Sequence, residues 1–276
     1  MSEIRDTSWR LIIDEAMPAA QNMALDEALL NSHSAGDSPP VLRLYRWHPG
    51  AISIGYFQSF GREVDEEACR ARGFEWVRRM TGGRAVLHHL ELTYAVVISE
   101  KILPGSVMET YGAISQGLVA GLRRLGMWAE LSEAPPPTRR SLSRLSAACF
   151  DSTTPSEVTS DGRKIVGSAQ GRARGVILQH GSVPIKLNRE DVVDCLNLGE
   201  RREAILRILQ TKAGSVSEAL GREVGFDEVA SALRGGFEET MRIEFAEIGY
   251  SRDELREAER LSAEKYSTEQ WNRAIR

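Results

Sequence analysis

Between residues 106 and 125 the apolar residues Val107, Tyr111, Ile114, Leu118, Leu122 and Leu125 recur at steps of three and four, which predicts a helix with one buried face. Phe226, Val229, Leu233 and Phe237 repeat the pattern, interrupted late by Gly235-Gly236. "ALDEALL" (24–30) is rich in strong helix formers. The apolar runs between these stretches are shorter. "VLRLYRW" (41–47) and "AISIGYF" (51–57), joined by His48-Pro49-Gly50, predict a hairpin. "VDEEACRARG" (64–73) predicts a short helix stopped by Gly73, and strands follow at 74–80, 84–89 and 92–99 around Gly82-Gly83.

The stretch "SEAPPPTRRSLSRLS" (132–146) has few core-forming residues and reads as a loop. Strands are expected at 147–152, 156–160 and 163–170, with Asp161-Gly162 as a two-residue hairpin turn, and "GVILQHGSVPI" (175–185) extends the meander. The remainder reads as helical, with Ser251 and Glu254 forming a capping box for a helix from 252. Strands in the middle and helices at both ends give an α+β class, a mixed β-sheet flanked by helices. We expect residues 1–276 to form a single unit, with a catalytic domain at about 32–247 and a helical extension at 248–276.

Composition narrows the field without deciding it. Hydrophobic content of 42% and charged content of 27% suit a water-soluble globular chain, and no apolar run approaches a membrane span. The start "MSEIRD" lacks the features of a signal peptide, so a cytoplasmic location is expected. The net charge of −4 hides an asymmetry, because residues 137–174 hold seven Lys or Arg against three Asp or Glu. Such an island is either a solvated loop or a docking surface for an acidic partner. Cys69, Cys149 and Cys195 are too widely spaced for a metal clip; Cys69, in a short helix beside Ala68, and Cys195, in an apolar helical pattern, read as core residues.

The densest motif is "RRMTGGRAVLHHLELTY" (78–94). Its glycines allow a close backbone approach, but no Lys-Ser/Thr follows, which excludes a P-loop, and no helix-opening G-x-G-x-x-G exists. His88 and His89 are adjacent, so on a strand they face opposite ways and cannot share a metal.

Cys149 follows the basic loop and precedes an expected hairpin, a position that suits an accessible thiol as well as a structural one. Across the Asp161-Gly162 turn Ser160 pairs with Arg163, so Thr159 pairs with Lys164. With a turn at 153–155, Thr159 would pair with Cys149 as well. Cys149 and Lys164 would then share a sheet face, roughly 10 Å apart. A nearby ammonium favours the thiolate of a group whose ordinary pKa is about 8.5, and a thiolate attacks activated acyl groups. His180 in "LQHGS" is a further candidate for orientation or proton transfer.

Together "RRMTGGRAVLHHLELTY", "GRKIVGSAQ", "LQHGS", "NMALDEALL" and "GYFQ" resemble the lipoate/octanoate protein transferase and ligase superfamily, from about Asn22 to the "KYSTEQWN" tail. Within it the chain is most similar to LipM-type octanoyl-[acyl carrier protein]:protein N-octanoyltransferases. The resemblance implies the biotin/lipoate protein ligase catalytic-domain fold, related to class II tRNA synthetases. It implies octanoyl transfer from octanoyl-acyl carrier protein, through an acyl-thioester on Cys149 with Lys164 lowering its pKa, to a lysine of the glycine cleavage H protein or another lipoyl domain. It also implies that Arg78, Thr81, Gly82, Gly83, Arg84 and His88 wall the acyl tunnel and carbonyl site, with Ser168 and His180 close by. No metal, nucleotide or redox cofactor is called for. His89 stands where such proteins often have an acidic residue, and the loop before Cys149 is unusually rich in Pro and Arg.

Two enzyme alternatives use the same motifs: an ATP-dependent lipoate–protein ligase, and octanoyl transfer between lipoyl domains. A nucleic-acid-binding module is disfavoured by the net charge and by the lack of aromatic residues among the arginines.

Overall fold

A computed structural model describes residues 8–133 and 156–274. The strands are β1 (Ser8–Met17), β2 (Val41–Trp47), β3 (Ala51–Ile54), β4 (Glu75–Arg78), β5 (Val86–His88), β6 (Glu91–Ser99), β7 (Glu130–Leu131), β8 (Val158–Ser160), β9 (Arg163–Lys164), β10 (Gly167–Ala173), β11 (Val176–Pro184) and β12 (Glu244–Glu247). They form a six-stranded mixed sheet in the order β10-β11-β6-β2-β1-β12 and two three-stranded sheets, β4-β3-β5 and β7-β8-β9. The helices are α1 (Ala19–Ala35), α2 (Phe60–Glu63), α3 (Glu66–Ala71), α4 (Val107–Arg124), α5 (Arg189–Asp194), α6 (Arg202–Lys212), α7 (Val216–Leu220), α8 (Phe226–Met241), α9 (Arg252–Leu261) and α10 (Glu269–Asn272).

The large sheet is covered on both faces. Ile114, Leu118 and Leu122 of α4 and Val229, Leu233 and Phe237 of α8 pack on Leu42, Leu44, Tyr94 and Val96. On the other face Met23, Leu25 and Leu29 of α1, with Ala258 and Leu261 of α9, meet Val41, Tyr45, Ala95 and Leu178. A third core lies under the β4-β3-β5 sheet and holds Cys69 and Cys195, both fully buried. Among the described residues no helix is long and apolar enough to cross a membrane.

Three sequence expectations need correction. The predicted hairpin at 41–57 does not form: β2 pairs with β1 and β6, whereas β3 pairs with β4 and β5. Residues 48–50 carry the chain between sheets, and the all-buried β3 has no alternation to reveal which sheet it joins. The strand expected at 163–170 is divided, β9 joining the small sheet and β10 the large one. The C-terminal region is not wholly helical, because β12 runs parallel to β1, which sequence periodicity also missed. A strand as short and half-exposed as β12 carries no readable pattern.

The Gly235-Gly236 pair lies inside α8 without breaking it. A Cβ on Gly236 would stand 2.2 Å from the Gly121 backbone nitrogen and 2.4 Å from the Gly117 oxygen, so α4 and α8 cross with backbones nearly touching. A Cβ on Gly235 would meet only the Arg124 guanidinium group, the far end of a flexible side chain. Helix propensity alone predicts that Gly→Ala stabilises by about 0.5–1 kcal/mol. We expect Gly236→Ala to reverse that sign and destabilise by about 1–3 kcal/mol through overpacking, with Gly235→Ala neutral or stabilising. Urea denaturation of the two variants beside the parent decides it; equal stabilities would refute the close crossing.

Candidate active site

A narrow slot, with a cavity volume of about 20 Å³, opens between the α1 face of the large sheet and the β4-β3-β5 sheet. Its floor follows from strand register. Tyr45, Thr93, Ser182 and Gly167 lie opposite one another across β2, β6, β11 and β10, and Arg43, Ala95, His180 and Ala169 form the next row. Residues two apart on a strand share a face, so both rows look toward α1. Gly167, Ala169, Ala95 and Ser182 are all small, and that leaves the free space.

Ser53, Arg79, Val86 and His88 supply the opposite wall, with Met23 of α1 and Trp47 beside them. The Thr81–Arg84 loop passes over β10. Gly83 has φ +87°, a backbone region favouring glycine. Its carbonyl oxygen would be 2.0 Å from a Cβ on Gly55, and Ala169 Cβ lies 3.5 Å from where a Gly83 side chain would start. The guanidinium of Arg79 fixes this loop by donating to the carbonyls of Gly82 at 2.9 Å and Arg84 at 2.6 Å, and to Ser53.

Two buried histidines line the slot. His180 Nδ1 is 2.8 Å from Asp26 Oδ2, and its Nε2 is 2.6 Å from Thr81 Oγ1. Burial alone would raise the Asp26 pKa, but the His180 hydrogen bond and the Arg43 charge overcome it and hold the carboxyl below its ordinary value. An ionised Asp26 accepts only, so His180 carries its proton on Nδ1 and turns Nε2 toward the loop. His88 stacks on Trp47 with ring centroids 4.1 Å apart, and its Nε2 is 2.8 Å from Ser53 Oγ. Burial lowers the His88 pKa against the pull of Glu91, favouring the neutral ring. His89 packs instead against Phe74.

The structure brings His88 and His180 to the slot and Thr81 to its His180 wall, while Ser168 borders the slot on β10 with its hydroxyl on the opposite, Tyr94 face of the sheet. Ser168 accepts a hydrogen bond from Tyr94 OH at 2.7 Å. Gly82, Gly83 and Arg84 form the overlying loop rather than the slot lining. Arg78 does not reach the slot. Its buried guanidinium donates to the carbonyls of Gly55, Tyr56, Gln58, Trp271, Asn272 and Ala274, tying the chain after β3 to the C-terminal residues.

Lys164 is 1% exposed and its Nζ lies 2.5 Å from Glu157 Oε1. The expected pairing of Thr159 with Lys164 and Ser160 with Arg163 is present. The other edge of Thr159 is taken by Glu130 of β7, so the register that paired Thr159 with Cys149 is replaced. Cys149 itself, like the strand expected at 147–152, lies outside the described residues. Among the described residues no cluster of three or more His, Cys, Asp or Glu is placed to hold a metal.

Sequence reading missed Asp26, Tyr45, Trp47, Ser53, Arg79, Thr93 and Ser182. One signal was available: Asn22 and Asp26 stand four apart on the α1 face that also carries Met23, Leu25 and Leu29 into the core.

The profile of the lipoyl protein ligase A/B catalytic domain matches residues 18–238. The chain is 47% identical to "Octanoyltransferase LipM" of Kyrpidia tusciae over 96% of this chain and 98% of that one. It is 43% identical to the protein of the same name from Symbiobacterium thermophilum, over 97% and 98%. Among solved structures, a bipartite lipoate protein ligase of Thermoplasma acidophilum, described with its E2 lipoyl domain, superposes with TM-score 0.82 at 29% identity, covering 98% of both chains. A lipoate-protein ligase A bound with ATP gives 0.79 at 29% identity, over 98% and 100%. The slot thus sits in the fold of the lipoate-protein ligases, and the chain belongs to the lipoyl protein ligase A/B catalytic-domain family.

Proposed function

We propose that this protein is an octanoyltransferase of lipoate biosynthesis, taking octanoyl from acyl carrier protein and placing it on a lysine of a lipoyl-type domain, the glycine cleavage H protein being the expected acceptor. The observation that carries this reading is the near-full-length likeness to proteins named octanoyltransferase. The slot supports it: a narrow space floored by small residues suits an unbranched acyl chain, and each buried methylene is worth about 0.8 kcal/mol. An acceptor of the lipoyl-domain class is supported by the ligase relative described with its E2 lipoyl domain. The basic segment 137–174 suits acidic carrier proteins.

In this mechanism the Cys149 thiolate attacks the thioester carbon of the donor. The new C–S bond forms as the carrier's pantetheine sulfur leaves and takes up a proton. The acceptor lysine, as free amine, then attacks the acyl-cysteine; a C–N bond forms, the C–S bond breaks, and the amine proton is lost. Lys164 stabilises the thiolate by its charge. The buried Glu157 pair fixes the position of its stem.

Mixing the protein with octanoyl-acyl carrier protein should add one octanoyl mass, labile to hydroxylamine and absent from Cys149→Ala. Octanoate transfer driven by ATP and surviving that substitution would place the chain with the ligases instead. A Lys164→Met/Glu157→Gln variant leaves no unpaired buried charge. Its thiol should return toward the ordinary pKa of about 8.5. The acylation rate at pH 7 should then fall about tenfold or more and recover as pH rises toward 9, because the thiolate fraction grows with pH; a loss that alkali leaves unrestored contradicts the role given to Lys164. Finally, Ala169→Leu should fill part of the floor and shift the preferred donor to shorter chains, read as kcat/KM across hexanoyl, octanoyl and decanoyl donors. An unchanged order would remove the chain from this slot.

A further inference from the structure

The hydrogen bonds around the slot are nearly complete. Tyr45 donates to Asp26, Thr93 accepts from Trp47 and donates to Glu91, and Ser53 bonds Arg79 and His88. Ser168 is paired with Tyr94, and His180 with Asp26 and Thr81. Ser182 differs. It is 1% exposed and lines the slot, and its Oγ has no hydrogen-bond partner. Buried hydroxyls are almost always paired, so an unpaired one facing a cavity marks a place where a ligand atom completes the bond.

Geometry says which ligand atom. Ser182 lies two residues beyond His180 on β11, and His180 reaches Asp26 of α1, so the Ser182 side chain shares that slot-facing side. Directly opposite it on β10 is Gly167, which places no side chain over the hydroxyl. Gly167 is three residues after Lys164, at most about 10 Å along the chain. The other paired row, with His180 and Ala169, is one step of about 6.6 Å further from Lys164. Along the chain the Ser182 row is thus the nearer of the two to Lys164, which makes it the carbonyl end under the octanoyl-transfer reading, with the His180 row along the acyl chain.

We propose that Ser182 Oγ–H donates a hydrogen bond to the acyl carbonyl oxygen of the thioester, and to the oxyanion formed when a sulfur or nitrogen nucleophile adds to that carbon. The assignment rests on the octanoyl-transfer reading and adds to it a substrate-contacting residue. No bond to Ser182 forms or breaks; the hydroxyl keeps its proton through both half-reactions. Donors aimed at developing charge act mainly on the transition state.

The test uses the full chain and two probes, S-octanoyl-pantetheine and its thioether S-octyl-pantetheine, which lacks the carbonyl oxygen. In a Cys149→Ala background, where no acyl transfer occurs, the thioester should bind about 2- to 10-fold tighter than the thioether. Adding Ser182→Ala should erase that difference while leaving thioether affinity unchanged. With Cys149 present, Ser182→Ala should slow single-turnover acylation on the order of 10²- to 10³-fold. Its thermal midpoint should not fall, because no bond within the protein is lost. An unchanged carbonyl preference and acylation rate in Ser182→Ala would overturn the assignment while leaving octanoyl transfer intact. A parent protein that neither binds the thioester nor becomes acylated would remove the transferase reading, and the assignment with it. A change confined to chain-length preference would move Ser182 from the carbonyl to the chain and equally overturn it.

Discussion

The buried guanidinium of Arg43 is the interaction on which the site depends. It is fully buried and pairs with Asp14 at 2.7 Å and Asp26 at 2.8 Å, with the carbonyl and side-chain oxygens of Asn22, and with Tyr250 OH. Burying a charge is costly unless it is paired and hydrogen-bonded, and these partners come from β1, α1 and the approach to α9. Satisfying Arg43 therefore fixes where α1 lies on the sheet. The consequence reaches further, because the His180 hydrogen bond and the Arg43 charge together keep Asp26 ionised, Asp26 orients His180, and His180 holds Thr81 at the start of the glycine loop. A chain of paired groups runs from the middle of the core to the loop above the slot. Loss of Arg43 would leave two carboxylates buried without their cation and release His180 as well.

A second arginine closes the molecule from the other side. Arg78 gathers backbone carbonyls from the segment after β3 and from residues 271–274, and Arg10 pairs with Glu254 at 2.7 Å. The C-terminal helices are thus anchored to strands of both main sheets. Arg78 and Arg79 are neighbours in sequence yet act on different regions, one on the chain ends and one on the Gly82–Arg84 loop. The double arginine of the motif is two separate clamps.

These pairs show what the sequence could and could not express. Local signals were readable: the Asp161-Gly162 turn set the Thr159–Lys164 pairing, Ser251 and Glu254 made their capping box, and the stripes of α4 and α8 faced the core. Each depends on residues a few positions apart. The slot floor was not readable, because Tyr45, Thr93, Ser182 and Gly167 meet only after four strands from distant parts of the chain have aligned. The same limit explains Arg78 and Arg79: both are buried at the end of one strand, and nothing local tells which carbonyls each will meet. His180 was readable as a candidate but its partner was not: Asn22 and Asp26 share a helical face, yet nothing local tells that Asp26 will meet a histidine 154 positions away.

On the proposed octanoyl-transfer reading, the arrangement separates measuring from reacting. The slot floor belongs to β2, β6, β11 and β10, neighbours in the large sheet, so its dimensions are set by that sheet and are insensitive to small changes at its ends. Lys164 belongs to a different sheet, the short β7-β8-β9 unit, which the Ile165-Val166 crossing joins to β10. Those two residues are buried in the same core as Val158 and Ile177, which couples the small sheet to the large one by packing. A substitution in the crossing should therefore act differently from one in the floor. Shrinking Ile165 would leave the slot width unchanged and alter where Lys164 stands relative to it, so its cost would fall on the rate of the chemical step and leave chain-length preference as it was.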